Sequence, residues 1–537
     1  MGVQIIIPMS GKGQRFLNNG YLDPKPLIDV DGKHMIEYII NLFPGEKDIS
    51  FICNDKHLKE TRMIDILNRI CPHGKIYEIS INDNKGPVYA VSLMNDIYDN
   101  IKDENEIIIS YCDFCTIWDY KHFLKDIRFN KSDGAIVCYK NFHPHMLGID
   151  NYAFLKETEI GSKIMDEIRE KKPFTNDRMN EYASCGIYYF KSGNLVKKYF
   201  KKLIELGETV NGEFYVSMVY NLFVEDGLKI NIYEIEYMLQ WGTPYDLENY
   251  LKWSKYFSNI HNNHNINFID KYDTTTILPL AGKGSRFLEQ GYTIPKPLLC
   301  IDNFPMVVQA IKCLPQSTNN IFICLNEHIN NYLLKKNILD AYPNAEIYGI
   351  DYITGGQACT VEIGINNSKL NLDKAILITA CDNGVYFNMK KYQSLVDDIS
   401  NDIIVWSFKN EFTSKNNPNM YAWLETDNND NVLSVSCKKF IEGIHDIKNS
   451  HVIIGTMFFR KAQYFIDGLY KNYNENIKTN DEYYVDDVLN QNIKNGLKIK
   501  AFQVENYICW GTPNDYKTYL YWEKFFSTCL WHRYKKL

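Results

Sequence analysis

Short apolar runs alternate with longer amphipathic stretches along most of the chain. Early on, "VQIII" (3–7), "ISFIC" (49–53) and "EIIIS" (106–110) are rich in β-branched residues and too short for helices. Between them, "KHMIEYIINLF" (33–43) and "KETRMIDILNRI" (59–70) carry apolar residues at helical spacing. The alternation predicts βα units feeding a mixed, mostly parallel sheet covered by helices, an α/β fold. Aromatic strands are predicted later, at "CGIYYF" (185–190) and "GTMFF" (455–459), in a substrate-side half of each sheet.

The pattern is written twice. Gly11 matches Gly282, and "FICNDKHL" (51–58) matches "FICLNEHI" (322–329), both at an offset of 271 residues. Asp113 in "IIISYCD" matches Asp382 in "AILITACD", and "WGTPYDLENYLKW" (241–253) matches "WGTPNDYKTYLYW" (510–522), both at 269. "NGEFYVSMVYN" (211–221) pairs with "NDEYYVDDVLN" (480–490). Near-constant offsets mean two related domains of about 260 residues, since solenoid units repeat every ~20–50 residues. The expected boundaries are 1–257 for the first domain, 258–273 for a linker and 274–537 for the second. The linker, "SNIHNNHNINFIDKYD", is rich in Asn and lacks apolar periodicity, so its His261 and His264 read as solvated.

Composition changes this picture little. The 537 residues are 45% hydrophobic and 23% charged, with a net charge of −7 and no block of like charges. That balance excludes a nucleic-acid stripe or a polybasic membrane patch. No apolar stretch approaches the ~20 residues of a spanning helix, and the chain enters its first strand without a signal-like n-region. A cytoplasmic location is the expectation. Most of the 14 cysteines stand singly in apolar runs, and the lone CxxC, Cys112–Cys115, lacks a second pair to complete a metal site. His143 and His145 in "FHPHML" would share a face on a strand, lining an acceptor pocket or stabilising a loop.

The chemistry sits in one repeated phrase, "PMSGKGQRFLNNGYLDPKPLI" (8–28) and "PLAGKGSRFLEQGYTIPKPLL" (279–299). Each follows a predicted strand and turns through Gly11 and Gly13, or Gly282 and Gly284, where backbone N–H groups can approach phosphate oxygens. Neither copy has a Walker loop, and Phe16 and Phe287 stand where a dinucleotide fingerprint needs its third glycine. Arg15 and Arg286 supply a planar fork for a triphosphate or leaving pyrophosphate. Lys25 and Lys296 lie between two prolines, which stiffen the backbone behind an ammonium aimed at developing charge.

G-x-G-x-R-F followed by P-K-P-L resembles the signature of the nucleotidyltransferases that make nucleotide sugars and related activated phosphates. "MSGKGQRF…GYLDPKPLIDVDGKHMIEYII" is similar to the bacterial branch linked to capsule and surface polysaccharides, which also holds cytidylyltransferases for non-sugar phosphates. The resemblance covers both copies nearly end to end. It implies two tandem Rossmann-like (GT-A-like) domains, each binding an NTP and Mg²⁺. A substrate phosphate would attack the α-phosphorus and release pyrophosphate. Partners would be an NTP and a phosphorylated sugar or small alcohol, with no nucleic acid; self-association stays open.

Carried onto this chain, Gly11, Gly13, Arg15 and Lys25 fall on the family's phosphate loop and activating lysine, as do Gly282, Gly284, Arg286 and Lys296. Asp113 and Asp382 fall on its metal-binding aspartate. Independently, a carboxylate at a strand's carboxyl end is where an open α/β sheet places ligands. Lys171 in "REKKPF" and Lys438 in "SCKKF" fall on the lysine that touches the acceptor phosphate. Gly86, Gly356 and Gln357 fall on the loop over the nucleobase.

The copies also depart from the family. A second metal carboxylate is replaced by Gln240 and Cys509, leaving Glu236 and Glu505, or Asp246 and Asp515, to supply it. In the base loop "NKGPVYAV" (84–91), Pro87 and Tyr89 replace Gln357 and Cys359 of "TGGQACTV" (354–361), so the first copy would read another base or none. A glycosyltransferase fits less well, because Asp113 and Asp382 are followed by "FC" and "NG" rather than a DxD. The non-enzymatic alternative makes one copy a nucleotide-sugar sensor or scaffold.

Overall fold

The computed structural model describes residues 2–83, 85–263 and 272–534. It divides into two compact units, Met1–His261 with Tyr521–Leu537, and Asn262–Leu520. The expected second domain, 274–537, thus ends differently: Tyr521–Leu537 group with the first unit, where Trp522 and Phe526 pack on Tyr250 and His532 meets the Ser254 carbonyl. A helix runs over Pro244–Asn263, so the expected linker begins helical; His264 and the following residues to 271 lie outside the described residues.

The first unit is built on a nine-stranded mixed sheet. Its central strand, Val3–Pro8, pairs in parallel with Asp48–Asn54 on one side and Glu106–Ser110 on the other, Ile5 facing both Ile49 and Ile108. Beyond Glu106–Ser110 the sheet turns antiparallel through Tyr182–Phe190. The "VQIII" run is apolar apart from Gln4, itself buried, because both faces are covered. Ile5 and Ile7 join one core layer with Ile36, Ile39 and Phe51. Ile6 points the other way, into a layer with Val88, Val91 and Met94.

The second unit has its own nine-stranded mixed sheet, with Tyr272–Leu280 between parallel neighbours Ser317–Leu325 and Ala375–Ile378. His451–Phe459 follows antiparallel to Ala375–Ile378. Layers again split by alternation: Ile277 packs with Val361 and Ile365, Leu278 with Val307 and Val308. The α/β reading of the sequence holds in both units. Among the described residues no helix is long and apolar enough to cross a membrane.

A small two-stranded ribbon in each unit prepares the site. Phe114–Ile117 pairs with Tyr237–Gln240, and Asn383–Tyr386 with Asn506–Cys509. Each brings the late "WGTP" stretch against the aspartate that precedes the ribbon: Trp241 N donates to the Asp113 carbonyl at 3.0 Å, and Trp510 N to the Asp382 carbonyl at 2.8 Å.

Candidate active site

The repeated phrase folds the same way twice. Gly13 and Gly284 stand before short helices in left-handed backbone, φ 65° and 64°, a conformation that a Cβ penalises. Phe16 and Phe287, one turn on, are buried edge-to-face on Tyr21 and Tyr292, which pins the turn from below. Space beside Gly11 and Gly282 is open, with no atom within 4 Å of where a Cβ would stand. Arg15 and Arg286 are exposed above the loops.

Pro24 and Pro295 enter single 3₁₀ turns that carry Lys25 and Lys296 inward. Lys25 Nζ donates to Asp113 Oδ2 at 2.5 Å, and Lys296 Nζ to Asp382 Oδ2 at 2.5 Å. Burial alone would push Asp382 up, but the Lys296 ammonium against it holds its carboxyl below the usual range. Each aspartate also faces a glycine. A Cβ on Gly242 would come within 2.9 Å of Asp113 Oδ2, and one on Gly511 within 3.2 Å of Asp382 Oδ2. That space is what a cation on the carboxylate needs.

Asp246 and Asp515 follow in the same stretch. Each accepts from a threonine at the head of its helix, Thr243 at 2.6 Å and Thr512 at 2.7 Å. Burial pushes Asp246 up to about 6, and Arg15, Asp113 and Lys25 all act on it. Glu236 is instead exposed and paired with Lys524 at 2.6 Å, and Glu505 is also exposed. Cys509 Sγ lies 3.4 Å from Asp515. Mg²⁺ takes one or two carboxylates and completes its shell with water and phosphate. Asp113 with Asp246, and Asp382 with Asp515, fit that donor set. No group of three or more His, Cys, Asp or Glu suited to a metal occurs among the described residues, which include buried, unpaired Cys112 and Cys115.

The two loops that the resemblance assigns to the nucleobase differ in sequence yet share one frame. Gly86 and Gly356 precede the helices Pro87–Tyr98 and Gln357–Asn367 at φ 97° and 138°. Phe214 N donates to the Lys85 carbonyl and Val88 N to the Phe214 carbonyl; Tyr483 N and Ala358 N make the same two bonds with Gly355 and Tyr483. Pro87 opens its helix, where a missing N–H leaves no helical bond unmade. The loops therefore differ in the side chains they present, with half-buried Gln357 on the second.

Lys171 and Lys438 both take left-handed backbone, φ 56° and 51°, unusual for a residue with a Cβ. Lys171 Nζ donates to Tyr215 Oη at 2.5 Å, and Tyr215 in turn donates to Glu213. Lys438 Nζ reaches the Met420 carbonyl at 2.6 Å. In the first unit a cavity of about 550 Å³ gathers Gly11, Gly13, Arg15, Lys25, Gly86, Asp113 and Lys171. It also exposes Glu170, Glu213 and Tyr215, to which sequence reasoning gave no role. The repeat "NGEFYVS"/"NDEYYVD" was the signal for Glu213 and Tyr215, and "REKKPF" the signal for Glu170.

His143 is buried and His145 half-buried. His145 lies in a 3₁₀ turn, Pro144–Leu147, rather than on a strand, and its Nε2 is 3.0 Å from Tyr139 Oη. Burial depresses His143 to about 4. A base depressed when folded binds fewer protons than when unfolded, so its stabilisation is complete above about pH 6.5 and lost as pH falls towards 4. His143→Gln is expected to remove about 2 kcal/mol of that acid-side loss. Melting curves of both proteins between pH 4 and 7 measure it; parallel curves would contradict the assignment.

No family model and no curated protein matches this chain. Solved structures do. A nucleoside-diphosphate-sugar pyrophosphorylase from Vibrio cholerae RC9 is 20% identical at a TM-score of 0.38, over 46% of this chain and 99% of that one. A protein described as a glucose-1-phosphate thymidylyltransferase from Bacillus anthracis is 19% identical at 0.36, over 46% and 93%. The inositol-1-phosphate CTP transferase from T. maritima is 15% identical at 0.34, over 46% and 96%.

Proposed function

We propose that the chain is a tandem nucleotidyltransferase of two domains, joining an NMP from an NTP to a phosphorylated sugar or small alcohol. One observation carries the reading. A lysine fixed between two prolines meets an aspartate at a strand's carboxyl end, beside a Gly-x-Gly turn with an arginine, in both units at the same 2.5 Å. A sensor or scaffold needs no such pair, and its recurrence favours catalysis in both units.

The triphosphate would lie on the backbone N–H groups of residues 11–15 or 282–286, with Arg15 or Arg286 on the leaving pyrophosphate. Lys25 or Lys296 would exchange its aspartate for the α-phosphate as charge builds there. Lys171 or Lys438 would hold the acceptor phosphate, whose oxygen attacks the α-phosphorus while the bond to the β-phosphate oxygen breaks. Mg²⁺, when bound by Asp113 with Asp246 or by Asp382 with Asp515, neutralises phosphate charge. Gly86, Gly356 and Gln357 would border the base. The resemblance of the opening motif to the polysaccharide-linked branch supports a role in surface glycan synthesis.

The test is pyrophosphate release by the full chain with Mg²⁺, all four NTPs, and a panel of sugar phosphates and phospho-alcohols. Lys25→Ala and Lys296→Ala chains then assign each activity to a unit. Release that survives both substitutions together would rule the reading out.

A further inference from the structure

The units match in their loop backbones and diverge beside Lys171, which lines the first unit's cavity, and beside Lys438. In both, the lysine lies over a tyrosine at a helix N-cap: Lys171 Nζ is 4.3 Å from the Tyr215 centroid, Lys438 Nζ 5.5 Å from that of Tyr484. The helices are Val216–Glu225 and Val485–Lys494. In each unit the residue before the lysine then pairs with the helix's second residue. In the first, Ser217 Oγ donates to Glu170 Oε2 at 2.5 Å. In the second, Cys437 Sγ lies 3.8 Å from Asp486 Oδ2. The carboxylate has changed walls. It comes from beneath the lysine in one unit and from the helix in the other, each time with a small hydroxyl or thiol opposite.

Keeping such an acid is costly. Burial disfavours the charged form of both, pushing Asp486 up to about 6 and Glu170 upward. A buried polar pair replaced by well-packed apolar groups is often neutral or more stable. Packing, even with Lys171 and Lys438 offsetting part of that cost, does not explain why the carboxylate recurs on the other wall after both positions changed. A ligand does, because a carboxylate accepts hydrogen bonds from hydroxyls in up to four directions. The surrounding wall has changed as well: Gly186 backs onto the Tyr111 ring, whereas Gly455 backs onto Ala380.

We propose that Asp486 is the acceptor-reading carboxylate of the second unit, acting from the wall opposite Glu170, so that the two units select acceptor phosphates whose hydroxyls point in different directions. This rests on the nucleotidyl-transfer reading. With the acceptor phosphate fixed by the lysine, moving the acid from one wall to the other changes which hydroxyl it meets.

The experiment uses full-length chains. A Lys25→Ala background isolates the second unit and a Lys296→Ala background the first. Asp486→Asn, which keeps shape and volume, should raise the acceptor KM about tenfold or more while the NTP KM stays within about twofold. Asp486→Ser with Cys437→Glu rebuilds the first unit's arrangement and should shift the second unit's acceptor ranking towards the first unit's. An unchanged acceptor KM in Asp486→Asn overturns the inference, as does a double variant that folds and keeps the original ranking. A parent chain that releases no pyrophosphate with any pair overturns the underlying reading, and the inference with it. Melting temperatures show which variants fold; if the double variant does not, the Asp486→Asn KM decides.

Discussion

Lys25→Ala is expected to lower the first unit's turnover by about a thousandfold, the scale lost when one preorganised donor is removed from a developing oxyanion. The fold should survive. The ion pair with Asp113 is part-exposed on both sides, 21% and 27%, so its loss costs roughly 1 kcal/mol or less. Asp113 keeps its place through the Phe114–Ile117 ribbon and the Trp241 bond, neither of which uses the lysine. Pyrophosphate release in a Lys296→Ala background measures the effect, and Lys296→Ala in turn should silence the second unit. Lys25→Arg is not expected to rescue, because a planar fork replaces a point charge behind a rigid Pro-Lys-Pro backbone. Turnover at the parental rate in Lys25→Ala would remove the lysine from the chemistry.

Gly86→Ala should be a strongly damaging small change in the first unit. The new Cβ would stand 2.7 Å from Phe214 N and 2.8 Å from its carbonyl oxygen, backbone atoms already clasped to the base loop. The position also has φ 97°, strained for any L side chain. Strain and overpacking together predict a loss of about 4 kcal/mol, or a melting shift of roughly 10 °C. On the proposed function NTP affinity should fall with it, since the clasp fixes the loop proposed to border the base. Gly356→Ala repeats the experiment in the second unit, where Tyr483 N and O would lie 2.6 and 2.5 Å away. Calorimetry with and without NTP separates the two effects; a melting temperature within a degree or two of the parent's would refute the clasp.

What the sequence made legible was what it encodes locally. Gly13, Arg15 and Lys25 lie within one short phrase, and the phrase recurs, so a candidate phosphate site could be proposed before any fold. Asp113 could be read because "IIIS" marks a strand and the aspartate follows its end. Groups that meet across long stretches of chain stayed hidden. Ser217 and Glu170 are 47 positions apart, and no residue between them announces the contact. Glu236 and Asp246 were equally eligible beside the second metal position. Only the ribbon and the helix after it show that one is exposed and the other sits near Lys25 and Arg15. For His143 and His145 the i, i+2 spacing would share a face only on a strand, whereas Pro144 opens a 3₁₀ turn there, the loop setting that the sequence left open.

The grouping of Tyr521–Leu537 with the first unit sets an order of events at the ribosome. Tyr250, Phe257 and Met238 are made before the second unit, yet Trp522, Phe526 and the Tyr521 hydroxyl that meet them are translated only after it. At ~5–20 residues per second, that aromatic surface waits uncovered while the whole of the second unit is made. The first unit can collapse early but is completed only once the segment from Tyr521 onward has been made. Premature termination anywhere in the second half would therefore damage the first unit as well, leaving an apolar face open to chaperones or to aggregation.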